Sequence, residues 1–306
     1  MLRRGTDGVS YAQTLIGITG LNIILALSVW LTFAVGQFSL AQVGFWAIGA
    51  YAAAMLTTLF AWSLPAAVLA AAAMCGVIGV ILGTPCLRIR GIYLALATLG
   101  FSEVVRVLLR SLTFQRPVHG VLTGPYGVMG FRNVVVLTTL PDILLALAGI
   151  LLALAWIGRA RLGLAMQAVR QDEIAAGFMG IDTVLTKVAV FALSAALAGI
   201  GGGLYANATS YITADDFDFH RTLLAVLIVA IGGTETLPGP VLGAALLTLL
   251  PEYFRFLGDN RMIFYGILVV VVMIWRPRGL VDRRSLRWLG AALRLPAGAP
   301  KAAHDA

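Results

Sequence analysis

The most polar stretch between two apolar segments of the chain runs from Gly163 to Asp182. Asp172 and Glu173 stand where the first turn of a short helix would place an anion, which the positive end of the helix dipole favours. Gly180 can end such a helix, and Asp182 can cap the next one. Two interpretations stay open. The helix either docks into a cleft on another protein, or lies at the membrane interface and only connects two spans.

A second pair of ionisable residues lies inside an apolar segment. Glu103 and Arg106 are three residues apart within 92–109, so they share one face of a helix. Ionisable groups inside a membrane span are costly to bury and mark candidate functional sites. The alternative is that the two residues simply pair with each other near a helix end. We predict Glu103, with the neighbouring Thr98, as candidate lining of a path through the membrane.

Metal-binding chemistry is not indicated. Asp215, Asp216 and Asp218 resemble a calcium loop only in part, because the remaining ligand positions of such a loop are missing. His119 and His220 have no cysteine or carboxylate at zinc-ligand spacing. The sequence therefore predicts a solvated acidic loop, two surface histidines and no metal site.

Catalytic motifs are missing as well. The sequence contains no Gly-x-x-x-x-Gly-Lys-Ser/Thr loop, no Gly-x-Ser-x-Gly elbow and no His-Glu-x-x-His. Its two lysines, Lys187 and Lys301, stand outside any phosphate-binding loop. We predict that the chain is not an enzyme, binds no cofactor itself and does not hydrolyse ATP.

The composition identifies the elements that must position these residues. Of the 306 residues, 60% are hydrophobic and 12% are charged, about half the charged fraction of a typical soluble domain. No charged residue occurs between Gly8 and Leu87. At about 1.5 Å per helical residue, this run has room for three crossings of a hydrocarbon core roughly 30 Å thick. The composition excludes a soluble enzyme with one core and a disordered chain, and it predicts a polytopic membrane protein.

The fold class predicted is an all-α polytopic membrane protein with about nine (8–10) transmembrane segments. Some of these segments are short or broken by Gly or Pro, a pattern typical of helices around a transport path. The segments are 15–35, 42–60, 64–84, 92–109, 141–157, 187–207, 222–233, 239–254 and 262–275.

Loop charges predict the orientation. Positive residues favour the cytoplasmic side, which places the 158–186 loop and the basic tail 281–306 inside and the acidic 215–218 loop outside. Arg3 and Arg4 near the start of the chain, and the arginines of the 110–132 loop, argue against this arrangement. The formal net charge of +8 fits basic ends that face cytoplasm or anionic lipid better than a nucleic-acid surface.

Motifs in the same order along the chain carry a family resemblance. Glu173-x-Ala175-Ala176-(x)3-Gly180 resembles the coupling loop of ABC-importer permeases, and its surroundings are similar to LivM-type permeases of branched-chain amino acid importers. Further similar motifs stand at 36–40, 45–51, 90–103, 191–199, 238–244 and 276–280. After the first of these the family commonly has Gly-His, and this chain has Ala41-Gln42.

The resemblance implies a multi-pass permease subunit of the bacterial inner membrane. Residues 1–280 would form one transmembrane permease domain, with a cytoplasmic coupling helix in the loop at about 163–182, and 281–306 a basic cytoplasmic tail. The ATPase-coupling role would belong to Glu173, Ala175, Ala176 and Gly180. Expected partners are a LivH-like second permease, two cytoplasmic ABC ATPases that use ATP, a periplasmic substrate-binding protein and membrane lipid, with no nucleic acid.

Two transport mechanisms from different classes remain. The first is ATP-driven import of branched-chain or similar small amino acids by alternating access. The second is an ion-gradient-driven secondary transporter of small solutes, which usually keeps acidic or unwound-backbone ion sites near the middle of the membrane. The charge-free run offers no acidic side chain for such a site, and the 163–182 segment would have no role in a carrier that works alone.

Overall fold

The computed structural model describes residues 3–89, 91–118, 121–134, 137–253, 266, 270, 274, 279 and 280. The predicted ninth segment 262–275 lies almost entirely outside these residues, as do the tail 281–306 and His119. The α-helices of the described chain are α1 Arg3–Ala34, α2 Gln42–Phe60, α3 Leu64–Cys86, α4 Ile92–Ser111, α5 Leu140–Arg159, α6 Arg161–Gln171, α7 Glu173–Phe178, α8 Thr183–Ala208, α9 Phe219–Gly232 and α10 Pro238–Tyr253.

Six of these helices are long and apolar enough to cross a membrane. They are Tyr11–Ala34 within α1, together with α2, α3, α4, α5 and α8. The charge-free run provides the first three, as its length predicts. The chain is thus a multi-pass, mainly helical membrane protein. The predicted seventh segment forms α9, whose 14 residues are fewer than the roughly 20 of a full crossing. The predicted eighth segment forms α10, of which 16 residues are described.

Small residues let the central helices approach closely. Gly49 of α2 lies against the backbone of Gly199 in α8, and a Cβ at Gly202 would overlap the carbonyl oxygen of Trp46. Gly79 of α3 packs on Ala195, one turn before Gly199 in the same helix. Without a hydrophobic drive between helices in lipid, this close backbone packing supplies much of the association energy. Helices α2, α3 and α8 therefore form the core of the molecule.

A small antiparallel sheet, which the sequence did not predict, closes one end of the helices. Its strands run in the order β1 Arg116–Val118, β2 Val121–Pro125, β3 Phe131–Arg132 and β4 Tyr211–Ile212. The sheet joins the loop after α4 to the loop after α8, and we call this end of the molecule the sheet end. Helix α5 leads away from it for 20 residues, about 30 Å, to α6 and α7. We call that opposite end the α7 end.

Candidate functional site

The polar 163–182 stretch folds as two helices rather than one. Helix α6 ends at Gln171 and α7 begins at Glu173. Asp172 between them adopts an extended conformation, and its carboxylate accepts hydrogen bonds from the backbone N–H groups of Ile174 and Ala175, at 2.8 and 3.0 Å. Since the first N–H groups of a helix have no partner within it, this cap starts a new helix where α6 stops.

Glu173 connects α7 to the next membrane helix. Its carboxylate lies 2.6 Å from the ammonium nitrogen of Lys187, in the second turn of α8. The Lys187 side chain is only 13% exposed, so this pair is screened less than a pair on the open surface. Asp182 caps α8 by accepting from the N–H of Leu185 at 2.9 Å, as its position predicts. The ion pair and the cap together fix the orientation of α7 relative to the start of α8.

The other three residues of the predicted coupling set occupy different environments. Ala175 is exposed and Ala176 is buried, with 4% of its surface accessible. The carbonyl of Ala176 accepts a hydrogen bond from the N–H of Ile181, which closes the turn after α7. Gly180 has a φ of +81°, a conformation that glycine adopts without a steric penalty. Ala175 therefore faces outward. Ala176 packs against the protein, and Gly180 allows the turn that follows α7.

The large apolar side chains of α7 are exposed, which the sequence did not predict. Phe178 and Met179 are 86% and 83% exposed, and Ile174, one turn before Phe178, is 65% exposed. Ile174 and Phe178 are four residues apart, so they share one helix face. In the sequence they resemble the many apolar residues of the spans, and only their placement outside every span distinguishes them. We call Ile174, Ala175, Phe178 and Met179 the α7 surface.

Helix α6 is bonded to the connection between α9 and α10. The Arg170 guanidinium donates to the carbonyl oxygen of Thr234 at 3.0 Å and to its hydroxyl at 3.2 Å. The indole N–H of Trp30 in α1 donates to the same carbonyl at 3.1 Å. Arg170, Trp30 and Glu235 also line a cavity of about 450 Å³ at the α7 end. A displacement of α6 would therefore reach both α1 and the α9–α10 connection.

Thr98, one of the two predicted path residues, is fully buried. Its hydroxyl donates to the carbonyl of Leu94 at 2.8 Å and accepts from the N–H of Leu40 at 2.9 Å. Ser102, one turn later, donates to the carbonyl of Leu40 at 3.0 Å. Irregular backbone is tolerated inside a membrane only where its polar groups are satisfied by protein. Helix α4 thus holds the irregular 35–41 connection, and a path role for Thr98 stays a prediction.

Glu103, the other predicted path residue, is paired with Arg106, as the structural alternative expected. The Glu103 carboxylate lies 2.6 Å from an Arg106 terminal nitrogen and accepts from its Nε at 2.9 Å. Arg106 also approaches Asp215 at 3.6 Å, and Arg110 forms an ion pair with the same carboxylate. Asp216 and Asp218 accept from the backbone N–H groups of Thr213 and Arg221. The acidic loop is therefore bonded to α4 and to its own backbone, rather than simply solvated.

A buried polar chain crosses the centre of the helices. The Gln42 side-chain amide donates to the Ser194 hydroxyl at 3.2 Å, and Ser194 donates to the carbonyl of Ser28 at 2.8 Å. All three residues are buried. Gln42 stands where the LivM-type permeases that the sequence resembles commonly have His. The difference places a neutral amide in the core.

No cluster of three or more His, Cys, Asp or Glu side chains suited to a metal ion occurs among the described residues. The two cysteines are free, Cys75 buried and Cys86 partly buried. His220 is exposed, as predicted.

Six span-length helices and the shorter apolar helix α9 among the described residues define a multi-pass membrane protein. A family model described as the permease component of branched-chain amino acid transport systems matches residues 11–273. The chain belongs to this family. Its relatives are transport permeases rather than enzymes.

Individual relatives agree with the family match. The chain is 34% identical to the high-affinity branched-chain amino acid permease LivM of Escherichia coli, over 92% of this chain and 71% of that protein. The LivM of Salmonella typhimurium is 33% identical over the same shares. A probable LivH of Methanocaldococcus jannaschii is 27% identical over 54% of each chain. No solved structure matches.

Proposed function

We propose that this chain imports branched-chain or similar small amino acids across the bacterial inner membrane by alternating access, driven by ATPases that dock on the α7 surface. The observation that carries the docking assignment is the exposure of Phe178 and Met179 on a short helix outside every span. Large exposed apolar side chains outside the lipid mark contact sites for another protein. The small side chain of Ala175 beside them leaves room for a partner to approach the helix.

The remaining predicted coupling residues position this surface. Glu173 holds α7 through the ion pair with Lys187, Ala176 packs beneath the helix, and Gly180 allows the turn that leads into α8. We assign contact with the ATPase to Ile174, Ala175, Phe178 and Met179. Glu173, Ala176 and Gly180 act as positioning residues.

Transmission into the membrane would follow the bonds of α6. A push on α7 moves α6 because only Asp172 separates the two helices. Arg170 then carries the displacement to Thr234 and, through the shared carbonyl, to Trp30 of α1. Since α9 and α10 pack on each other, they can move as a unit against the core of α2, α3 and α8.

The proposed function also implies an orientation in the membrane and a set of partner subunits. The α7 end faces the cytoplasm and two ABC ATPases, and the sheet end faces the periplasm and a substrate-binding protein. A LivH-like second permease completes the path, and residues 1–280 form one permease domain followed by a basic cytoplasmic tail at 281–306. Thr98 and Glu103 would influence the path from α4 through their contacts with Leu40 and Arg106.

Co-purification of the tagged complex in mild detergent tests the docking surface. The double substitution Phe178→Asp and Met179→Asp adds charge to exposed positions without disturbing the Glu173–Lys187 pair. We expect the native chain to bring down the ATPases and the second permease, and the double variant to keep the permease and lose the ATPases. The matched control is Val128→Asp at the sheet end, where Val128 is 73% exposed.

Equal recovery of the ATPases with the native chain and the double variant would show that α7 is not the docking site. A native chain that purifies without any ATPase would contradict the importer assignment as a whole. That outcome would favour the ion-gradient-driven carrier.

A further inference from the structure

A cavity of about 350 Å³ opens at the sheet end, away from the α7 surface. It lies between the first half of α1, the start of α5, the end of α8 and the start of α9. Its volume is near the lower end of the range for small-molecule sites, roughly 300–1,000 Å³.

Arg221 of α9 is the only charged residue among the described residues that line this cavity. Its guanidinium carbon lies 4.7 Å from the centre of the Tyr205 ring and 5.9 Å from that of Trp46. Among the described residues, no carboxylate forms an ion pair with it, and Asp218 bonds only to its backbone N–H. A partly buried cation that stacks on aromatic rings and has no ion-pair partner retains the capacity to bind an anion.

The other walls of the cavity are apolar or neutral. Ile18, Leu21 and Ile143 contribute aliphatic side chains. Thr138 also lines the cavity, but its hydroxyl oxygen is buried within the protein. The cavity thus combines an aliphatic wall with one cation that has no ion-pair partner among the described residues.

We propose that this cavity is the outer binding site for the transported amino acid, with Arg221 on its carboxylate and the aliphatic wall on its side chain. The proposal rests on the proposed function, which supplies an amino acid with an aliphatic side chain as cargo. Guanidinium groups bind carboxylates through two parallel hydrogen bonds, which fixes the orientation of the ligand as well as its position.

Direct binding of L-[³H]leucine to the purified complex, without the substrate-binding protein, tests this site. We expect Arg221→Gln to weaken leucine binding by about tenfold or more, and Arg221→Lys to retain part of it. The control is Arg132→Gln, which removes a cation that stacks on Tyr211 at the same end but does not line the cavity. On the native complex, 4-methylpentanoate should compete with leucine, and 3-methylbutylamine, which lacks the carboxylate, should not.

Leucine binding by Arg221→Gln within about twofold of native would overturn the proposal. Unchanged leucine binding together with loss of co-purified phospholipid would also overturn it, and would assign Arg221 to a lipid phosphate. If Arg221→Gln does not assemble, Arg221→Lys and the competition by the two analogues on the native complex decide the question.

Leucine uptake by cells with and without this chain separates the site from the function. Uptake that requires the chain but is unchanged by Arg221→Gln would reject the proposed binding site. The proposed function as an importer would be unaffected. Uptake that is independent of the chain would remove the proposed function, and the site assignment with it.

Discussion

The guanidinium of Arg170 holds both oxygens of Thr234, the carbonyl at 3.0 Å and the hydroxyl at 3.2 Å. These residues are 64 positions apart in the chain, Arg170 in α6 and Thr234 in the connection between α9 and α10. The contact therefore joins the α7 end directly to these two apolar helices.

Breaking this contact should separate ATPase docking from transport. We expect Arg170→Gln to lower leucine uptake by about fivefold or more, because hydrogen bonds to a charged group contribute roughly 1.5–3 kcal/mol, while ATPase co-purification stays at the native level. The control is Arg161→Gln, since Arg161 is exposed at the start of the same helix. Loss of ATPases from Arg170→Gln would place Arg170 in docking instead.

The Glu173–Lys187 pair should behave as a partly buried ion pair. We expect a charge swap, Glu173→Lys with Lys187→Glu, to recover much of the thermal stability that either single substitution loses in detergent. The coupling energy from this double-mutant cycle should exceed the roughly 0.2–1 kcal/mol of exposed pairs, because Lys187 is nearly covered. Simple additivity of the two single effects would show that the pair contributes nothing.

Gly202 should not tolerate a larger side chain. We expect Gly202→Val to destabilise the protein by about 1–3 kcal/mol or more, because its Cβ would overlap the Trp46 backbone. Thermal unfolding in detergent should show a lower Tm. Gly149→Val is the matched control, since a Cβ at Gly149 meets open space. A native Tm for Gly202→Val would contradict the close packing of α2 on α8.

Asp215 should fasten the 211–217 loop to α4. We expect Asp215→Asn to increase hydrogen exchange across residues 211–217, because the carboxylate then no longer pairs with Arg106 and Arg110. Asp142→Asn is the comparison at the same end, where Asp142 caps its own helix by accepting from Thr139. Equal exchange in the native chain and Asp215→Asn would show that the sheet alone holds the loop.

Local sequence signals predicted much of the helical architecture. The charge-free run gave three spans, and Asp182 caps α8 as expected, because both depend on residues close in sequence. Asp172 also marks the start of α7, although it splits the stretch into two helices.

Contacts between distant residues were not predictable in the same way. Strands β3 and β4 have two residues each and pair across about eighty positions. Segments this short show no alternation of apolar and polar residues that would predict a strand. Thr98 is a polar residue within a predicted span, yet its partner is the backbone of Leu40, 58 positions away. Arg221 stands at the edge of a loop in the sequence, and only the fold places it against Tyr205.

Energy coupling is the central claim, and reconstitution tests it most directly. The complete complex in proteoliposomes, with the binding protein outside and ATP inside, should accumulate L-leucine only when ATP is hydrolysable, and an ionophore that collapses ion gradients should leave the rate unchanged. Uptake that continues without the ATPases and stops when the ionophore is added would contradict the account and identify an ion-coupled carrier.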